Sequence, residues 1–213
     1  MTSSKDVYGN LGRSLGRKVH RNLLLKCAKE VFEQFGPEKT VVSDILNKSG
    51  ISRGTFYKLF RNKDEIYIQV LQNELNDLYK DIEQEMLQKQ TPFEKMNRYW
   101  LVRLKHLKRQ PNLKVLLRQV YEGVNKTYNS SAYKQIKEEM LSRDIENLKN
   151  ILMEGINEGY FCSVSVELTI QAVVHALHGF ERDWLMGGDE MVETHISHLL
   201  KLLYHGILRE DKG

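Results

Sequence analysis

Proline is scarce in this chain, three residues in 213, and cysteine scarcer still, with two. So little proline leaves long stretches free to run on as helix. Cys27 and Cys162 stand far apart with no CxxC spacing, which excludes a disulfide framework or a cysteine-rich zinc site and suits a reducing compartment. No apolar run approaches the roughly 18 residues of a membrane span. The opening MTSSKDVYGN has no hydrophobic core of a secretory signal, so the expected place is the cytoplasm. Sustained apolar–polar alternation is missing, and with it the signature of a sheet. Internal repeats and low-complexity tracts are missing too. There is no nucleophile–base–acid set, no glycine loop to cradle phosphate and no complete metal set, so no catalytic residue and no cofactor is expected.

What is present is an ordinary globular composition, 41% hydrophobic and 28% charged, with the charge unevenly divided. Residues 1–63 hold 13 Lys/Arg against 5 Asp/Glu, a net of +8; the rest holds 19 against 23, a net of −4. A basic first third on a mildly acidic body suits a polyanion partner for that third alone. A solvated basic surface fits the same numbers.

Leu/Glu/Lys-rich stretches at helical spacing give an all-α reading of about nine helices. Residues 1–16, with Gly9, Gly12, Gly16 and Arg13, read as a flexible basic arm. A first helix from about Arg17 to Phe35 carries the stripe Leu24, Ala28, Val31, Phe32, Phe35 and stops at Gly36-Pro37. Thr40 is placed to cap a short second helix to about Lys48, and Ser52 a third to about Phe60. Asn62 and Glu65 have capping-box spacing for a long fourth helix toward Gln88. Thr91-Pro92-Phe93-Glu94 is a stronger start signal, for a helix to about Arg109. Further helices are expected from Asn112 to Gly123, from Ser130 or Ser131 to Gly159, from Ser163 or Ser165 to Gly187-Gly188, and from Asp189 to about Leu208. No linker is evident, so the fourth helix itself joins two domains.

The stretch SGISRGTFYKLFRNKDEI, residues 49–66, places a glycine inside the third helix. Two short helices joined by a turn at Gly50 have the dimensions of a helix-turn-helix. Phe56, Leu59 and Phe60 share a face that can pack inward, leaving Gly54 and Lys58 outermost, flanked by Thr55 and Tyr57. An outward glycine costs about 1 kcal/mol relative to alanine but lets a partner surface approach the backbone closely. The hydroxyl, phenol, guanidinium and ammonium groups around it are those that bond phosphates and base edges. An ordinary amphipathic helix with a tolerated glycine is the other reading.

The segment KCAKEVFEQFGPEKTVVSDILNKSGISRGTFYKLFRNKDEI, residues 26–66, resembles the DNA-binding domain of the tetracycline-repressor (TetR) family of bacterial transcription regulators. The likeness rests on Ala28, Phe35, Gly36, Thr40, Ile45, Gly50, Ile51, Ser52, Gly54, Thr55, Phe56, Tyr57, Phe60 and Lys63 at the family's spacing. It implies an N-terminal three-helix domain (17–78, helix-turn-helix about 41–60), joined by a long helix to a larger ligand-binding and dimerisation domain (79–213). By the same resemblance Arg53 and Thr55 reach base edges or nearby phosphates, and Tyr57, Lys58 and Lys63 bind backbone phosphate. Thr40, Val41 and Ser43 sit on the DNA backbone; Ser52 and Gly54 complete the set. Three departures weaken single contacts: Val41 where the family often has Thr or Ser, Leu46 for a small Ala, and Leu59 for His or Tyr. Arg61, Arg53 and the arm residues Arg13, Arg17 and Lys18 are candidates to compensate, the arm through the minor groove.

Past the first third the resemblance is weak. It implies that the last two helices pair with a second copy, through Leu168, Ala172, Ala176 and Phe180 on one and Ile196, Leu199, Leu200 and Leu203 on the other. The same stripes would also fill a monomer core. Tyr99, Trp100, Arg103, His106, Arg118, Tyr121, Tyr128 and His175 are candidates to line an effector cavity; as aromatics at helical spacing they equally suit a core. The pairs His175/His178 and His195/His198 share helix faces, but no third ligand completes a metal site.

The expected function is a ligand-responsive homodimeric repressor. It would bind a pseudo-palindromic operator of double-stranded DNA and be released by a small, largely apolar effector. An activator or non-sensing regulator is the alternative, and a helical protein–protein adaptor a remote one.

Overall fold

The computed structural model describes residues 4–89, 91–122, 131–162, 165–188 and 190–207. Among them are nine helices: α1 (Ser4–Lys39), α2 (Val42–Ser49), α3 (Arg53–Leu59), α4 (Lys63–Met86), α5 (Pro92–Arg109), α6 (Pro111–Glu122), α7 (Ser131–Asn157), α8 (Val166–Gly187) and α9 (Val192–Ile207). Tyr128, Ser130, Ser163, Asp189 and Leu208, all invoked above, lie outside the described residues. No helix among those described is long and apolar enough to cross a membrane. The chain divides into two compact units, Met1–Asn73 and Glu74–Gly213, a few residues before the boundary expected after residue 78.

In the first unit α1 packs against α2 and α3. Leu24, Ala28, Val31 and Phe32 of α1 close over Ile45, Phe56 and Phe60, all nearly inaccessible. Phe35, counted in the inward stripe, is instead 48% exposed, because the helix ends beside it. Gly36 adopts φ 75° and breaks the helical path before Pro37, a conformation that favours glycine. The arm expected over 1–16 is helical backbone from Ser4 on. Glycine weakens a helix by about 1 kcal/mol without forbidding it, and no proline intervenes.

Local caps fix the short elements. Thr40 does not cap α2: it is fully buried, and its hydroxyl donates to the Gly36 carbonyl at 2.7 Å, closing the end of α1. Val41 stands at the cap position and Asp44 accepts its N–H at 2.8 Å. Gly50, at φ 66°, ends α2 in the left-handed conformation. Ser52 caps α3, accepting the Thr55 N–H at 3.2 Å. A helix as short as α3 is marginal by itself. Burial of Phe56 and Phe60, worth about 2 kcal/mol each, holds it down.

The second unit is a helical bundle in which α7 packs on α5 and α8, α9 on α5 and α8, and α6 on α5 and α8. Thr91 and Glu94 form the full reciprocal box at the start of α5. Asn62 makes only half of one at α4, accepting the Glu65 N–H while Glu65 turns to the Arg61 N–H.

Candidate functional site

The exposed face of α3 is the first unit's chemically loaded surface. Phe56 and Phe60 point inward, with the Arg21 guanidinium 4.8 Å over the Phe60 ring. Ser52, Arg53, Gly54, Tyr57 and Lys58 are exposed, and Thr55 is half-buried. The Thr55 hydroxyl lies 3.0 Å from that of Ser52, which fixes it at the head of the helix. Tyr57 is 50% exposed, its ring edge-on to Phe56. A Cβ built on Gly54 would meet nothing within 4 Å, and the residue does not have positive φ. Neither the fold nor the backbone calls for a glycine there. That is the property of a helix face kept clear for close approach.

The flanking residues divide. Val41 is 54% exposed at the start of α2 and Ser43 half-buried beside it. Thr40 is withdrawn into the core, so only its backbone is placed to meet a partner. The Lys63 ammonium donates to the carbonyls of Pro37 and Glu38, at 2.7 and 3.4 Å. It therefore ties the start of α4 to the end of α1, a structural task added to the phosphate contact expected of it. Arg17, Lys18 and Arg61 are exposed.

Among the described residues, the second unit does not bring the expected effector candidates together around one cavity. Tyr99, Trp100 and Arg103 are sealed inside it. Arg118 is exposed on α6, and His175 is exposed on α8 with its ring nitrogen 2.6 Å from the Gln171 carbonyl oxygen. His106 is buried against Asp81, 3.1 Å away. The sealed residues belong to a charge cluster that sequence reading missed. Arg103 grips Glu181 through Nε at 2.7 Å and reaches Asp144 at 3.1 Å. Asp144 also accepts from Tyr99 and Tyr79 and lies 3.2 Å from His178 Nε2. Burial pushes the Asp144 pKa up, but Arg103, His178 and Tyr99 outweigh it and leave it below its ordinary value of 3.8. Burial, and then neighbouring carboxylates, raise Tyr79, Tyr99 and Tyr121. Those phenols stay protonated and serve as donors.

A signal for the cluster does exist in the sequence. Tyr133, Ile136, Met140, Leu148 and Ile151 make the buried stripe of α7, and Asp144 occupies a stripe position. Glu181 interrupts Ile170, Val174, Leu177 and Leu185 of α8 in the same way. A third interruption, Glu74 on α4, is also buried and accepts from the Asn112 side chain and the Leu113 N–H at the start of α6.

An open groove of about 560 Å³ lies beside the cluster, between α4, the start of α5 and α7. Ile82, Met86 and Ile151 supply apolar wall, Lys89 and Arg143 sit in its polar lining, and Tyr79 also faces it. None of the expected effector residues among those described lines this groove.

On α8, Leu168, Ala172 and Ala176 are exposed and Phe180 half-buried, as an interface would need. On α9 the expectation is partly corrected. Ile196 and Leu200 are buried within the chain, Leu199 and Leu203 half-buried, and Leu202 is 58% exposed. The helix must cover α5 and α8 with one apolar face and has another left over. Among the described residues no three His, Cys, Asp or Glu side chains gather as a metal site; His175 and His178 turn to different partners.

Comparison with known proteins agrees with this geometry. Residues 24–70 match the sequence profile of the bacterial regulatory proteins of the tetR family. The fatty acid metabolism regulator protein of Bacillus subtilis is 26% identical over 189 residues, covering 86% of this chain and 93% of that one. The probable acrEF/envCD operon repressor of Escherichia coli is 24% identical, covering 78% and 76%. The crystal structure of the transcriptional regulator FadR from B. subtilis in complex with stearoyl-CoA shares the fold. It has a TM-score of 0.67 and 23% identity, covering 87% of this chain and 98% of that one. The profile lies across the open glycine-bearing helix and relatives match along most of the chain, so residues 24–70 are similar to the N-terminal segment of the tetR family of bacterial regulatory proteins.

Proposed function

We propose that the protein is a homodimeric transcriptional repressor that reads a pseudo-palindromic DNA operator through α3 and lets go when an effector binds the second unit. The observation that carries this reading is the face of α3: an uncluttered Gly54 ringed by Arg53, Thr55, Tyr57 and Lys58, with the phenylalanines turned inward. The +8 balance of residues 1–63 supports it, since phosphate neutralisation supplies most of the non-specific affinity for DNA. Arg53 and Thr55 contact base edges or adjacent phosphates. Tyr57 and Lys58 hold phosphate, and Val41, Ser43 and the backbone at Thr40 lie along the strand.

The outward apolar face of α8, Leu168, Ala172, Ala176 and Phe180, joined by Leu199, Leu202 and Leu203 of α9, is the proposed contact with the second copy. The effector is an amphipath with an acyl chain. The relative crystallised with stearoyl-CoA supports that class, and the groove, with its apolar wall and charged lining, supports that site. Effector binding favours a conformation in which α4 carries the two reading heads out of register with the operator.

Fluorescence anisotropy of a selected operator duplex tests both halves. The repressor binds at low salt with preference over scrambled duplex, and micromolar stearoyl-CoA weakens that binding. Equal affinity for both duplexes would contradict the first half, and indifference to the acyl-CoA the second.

A further inference from the structure

Tyr79 is in an unusual position. It lines the groove, yet its hydroxyl is bonded inside the charge cluster. The hydroxyl has two acceptors, the Met140 carbonyl at 2.7 Å and Asp144 Oδ1 at 2.8 Å, and a phenol has one proton to give. Neither acceptor depends on it. The carbonyl belongs to the helical ladder of α7, and Asp144 keeps Tyr99, Arg103 and His178. The proton therefore has two acceptors within hydrogen-bond reach, a neutral carbonyl and a carboxylate. On the groove side the Arg143 guanidinium lies 5.0 Å over the Tyr79 ring and also lines the groove, so an occupant meets ring and cation together. On the cluster side Asp144 leads through Arg103 to Glu181, which holds α5 to α8.

We propose that Tyr79 is the coupling residue of the effector unit: an occupant of the groove displaces its ring, and its hydroxyl transmits the change to Asp144 and so to the cluster clamping α5 and α8. This rests on the reading of the protein as a ligand-responsive regulator, and it assigns a specific role that the reading leaves open. Tyr79 touches what fills the groove, whereas Asp144, Arg103 and Glu181 are sealed from it and act through Tyr79. Coupling of this kind requires an element with two discrete arrangements, which a single proton between two acceptors provides.

The test uses a tethered occupant, so it does not depend on knowing the effector. In the full-length chain with Cys27→Ala and Cys162→Ser, Asn147→Cys on the groove wall is alkylated with N-hexylmaleimide. Amide hydrogen exchange is then compared with and without the label. Exchange in the α5 and α8 peptides that hold Arg103 and Glu181 rises by roughly threefold or more on labelling, because the clamp opens more often. With Tyr79→Phe added, which leaves Asp144 three partners, labelling leaves those peptides unchanged. Asn150→Cys, in the same groove, provides a second attachment point should the first variant fold poorly. Equal responses with Tyr79 and with Tyr79→Phe, or no response in α5 and α8 in either, overturn the proposal. If the Tyr79-dependent response is present but labelling leaves operator affinity unchanged, the coupling stands and the regulatory reading of the groove fails.

Discussion

Gly54 sits in the middle of a short helix where nothing inside the chain asks for a glycine, and that makes it the sharpest residue-level test. Gly54→Leu places a good helix former in open space, so stability to urea rises by about 0.5–1 kcal/mol. The same side chain projects from the face proposed to meet the duplex, and operator affinity falls by at least tenfold. A variant that is less stable, or that binds as before, would argue against an approach surface. Lys58→Ala tests the phosphate role differently. Losing one phosphate contact lowers the slope of log affinity against log salt by about 0.9, whatever the duplex sequence. In the buried cluster, Arg103→Met leaves Asp144 and Glu181 without their cation, a loss on the order of 3–5 kcal/mol by urea denaturation. The Asp144 pKa is depressed in the folded protein, so its contribution is present above the ordinary carboxylate range and is lost as pH falls through the folded value. Wild-type stability therefore declines in acid below about pH 4, and Arg103→Met shows a shallower decline. Residues of this kind were readable only in part. Gly54, Lys58 and Arg53 stand out because their types are odd for a short helix. Asp144 and Glu181 look like ordinary surface charges until each is seen to occupy an apolar-stripe position.

At the level of the elements, local chemistry was legible and tertiary assignment was not. The Thr91–Glu94 box, the Gly36-Pro37 stop, the Gly50 turn and the Ser52 cap depend on a few neighbouring residues, and each acts where the sequence placed it. Thr40 was misplaced because a threonine before a short helix looks like a cap, whereas its hydroxyl closes the preceding one. The α8 and α9 stripes could not be divided between core and interface, because a helix apolar on two faces gives one broadened pattern. Burial now divides them, and a paired substitution checks the division. Ala176→Glu, on the exposed face, gives a folded monomer by light scattering with near-native helicity. Ile196→Glu, fully buried, unfolds the unit, because an unpaired carboxylate in an apolar core costs several kcal/mol. If both variants stay dimeric and folded, the proposed face is wrong.

On the scale of the whole molecule, charge and symmetry set what the protein can recognise. The basic balance lies in the first third and the apolar surplus on α8 and α9, and the proposed two-fold pairing would offer two copies of α3 to one duplex. Two reading helices demand two half-sites, about 10–10.5 base pairs or a multiple apart, related by a dyad. The most direct measurement is selection of bound sites from random duplexes, with the purified full-length protein, at several salt concentrations. A DNA-reading α3 predicts an enriched pseudo-palindrome at that spacing that persists as salt rises and vanishes for Gly54→Leu. Recovery of no common sequence at any salt, with affinity set by ionic strength alone, would contradict it.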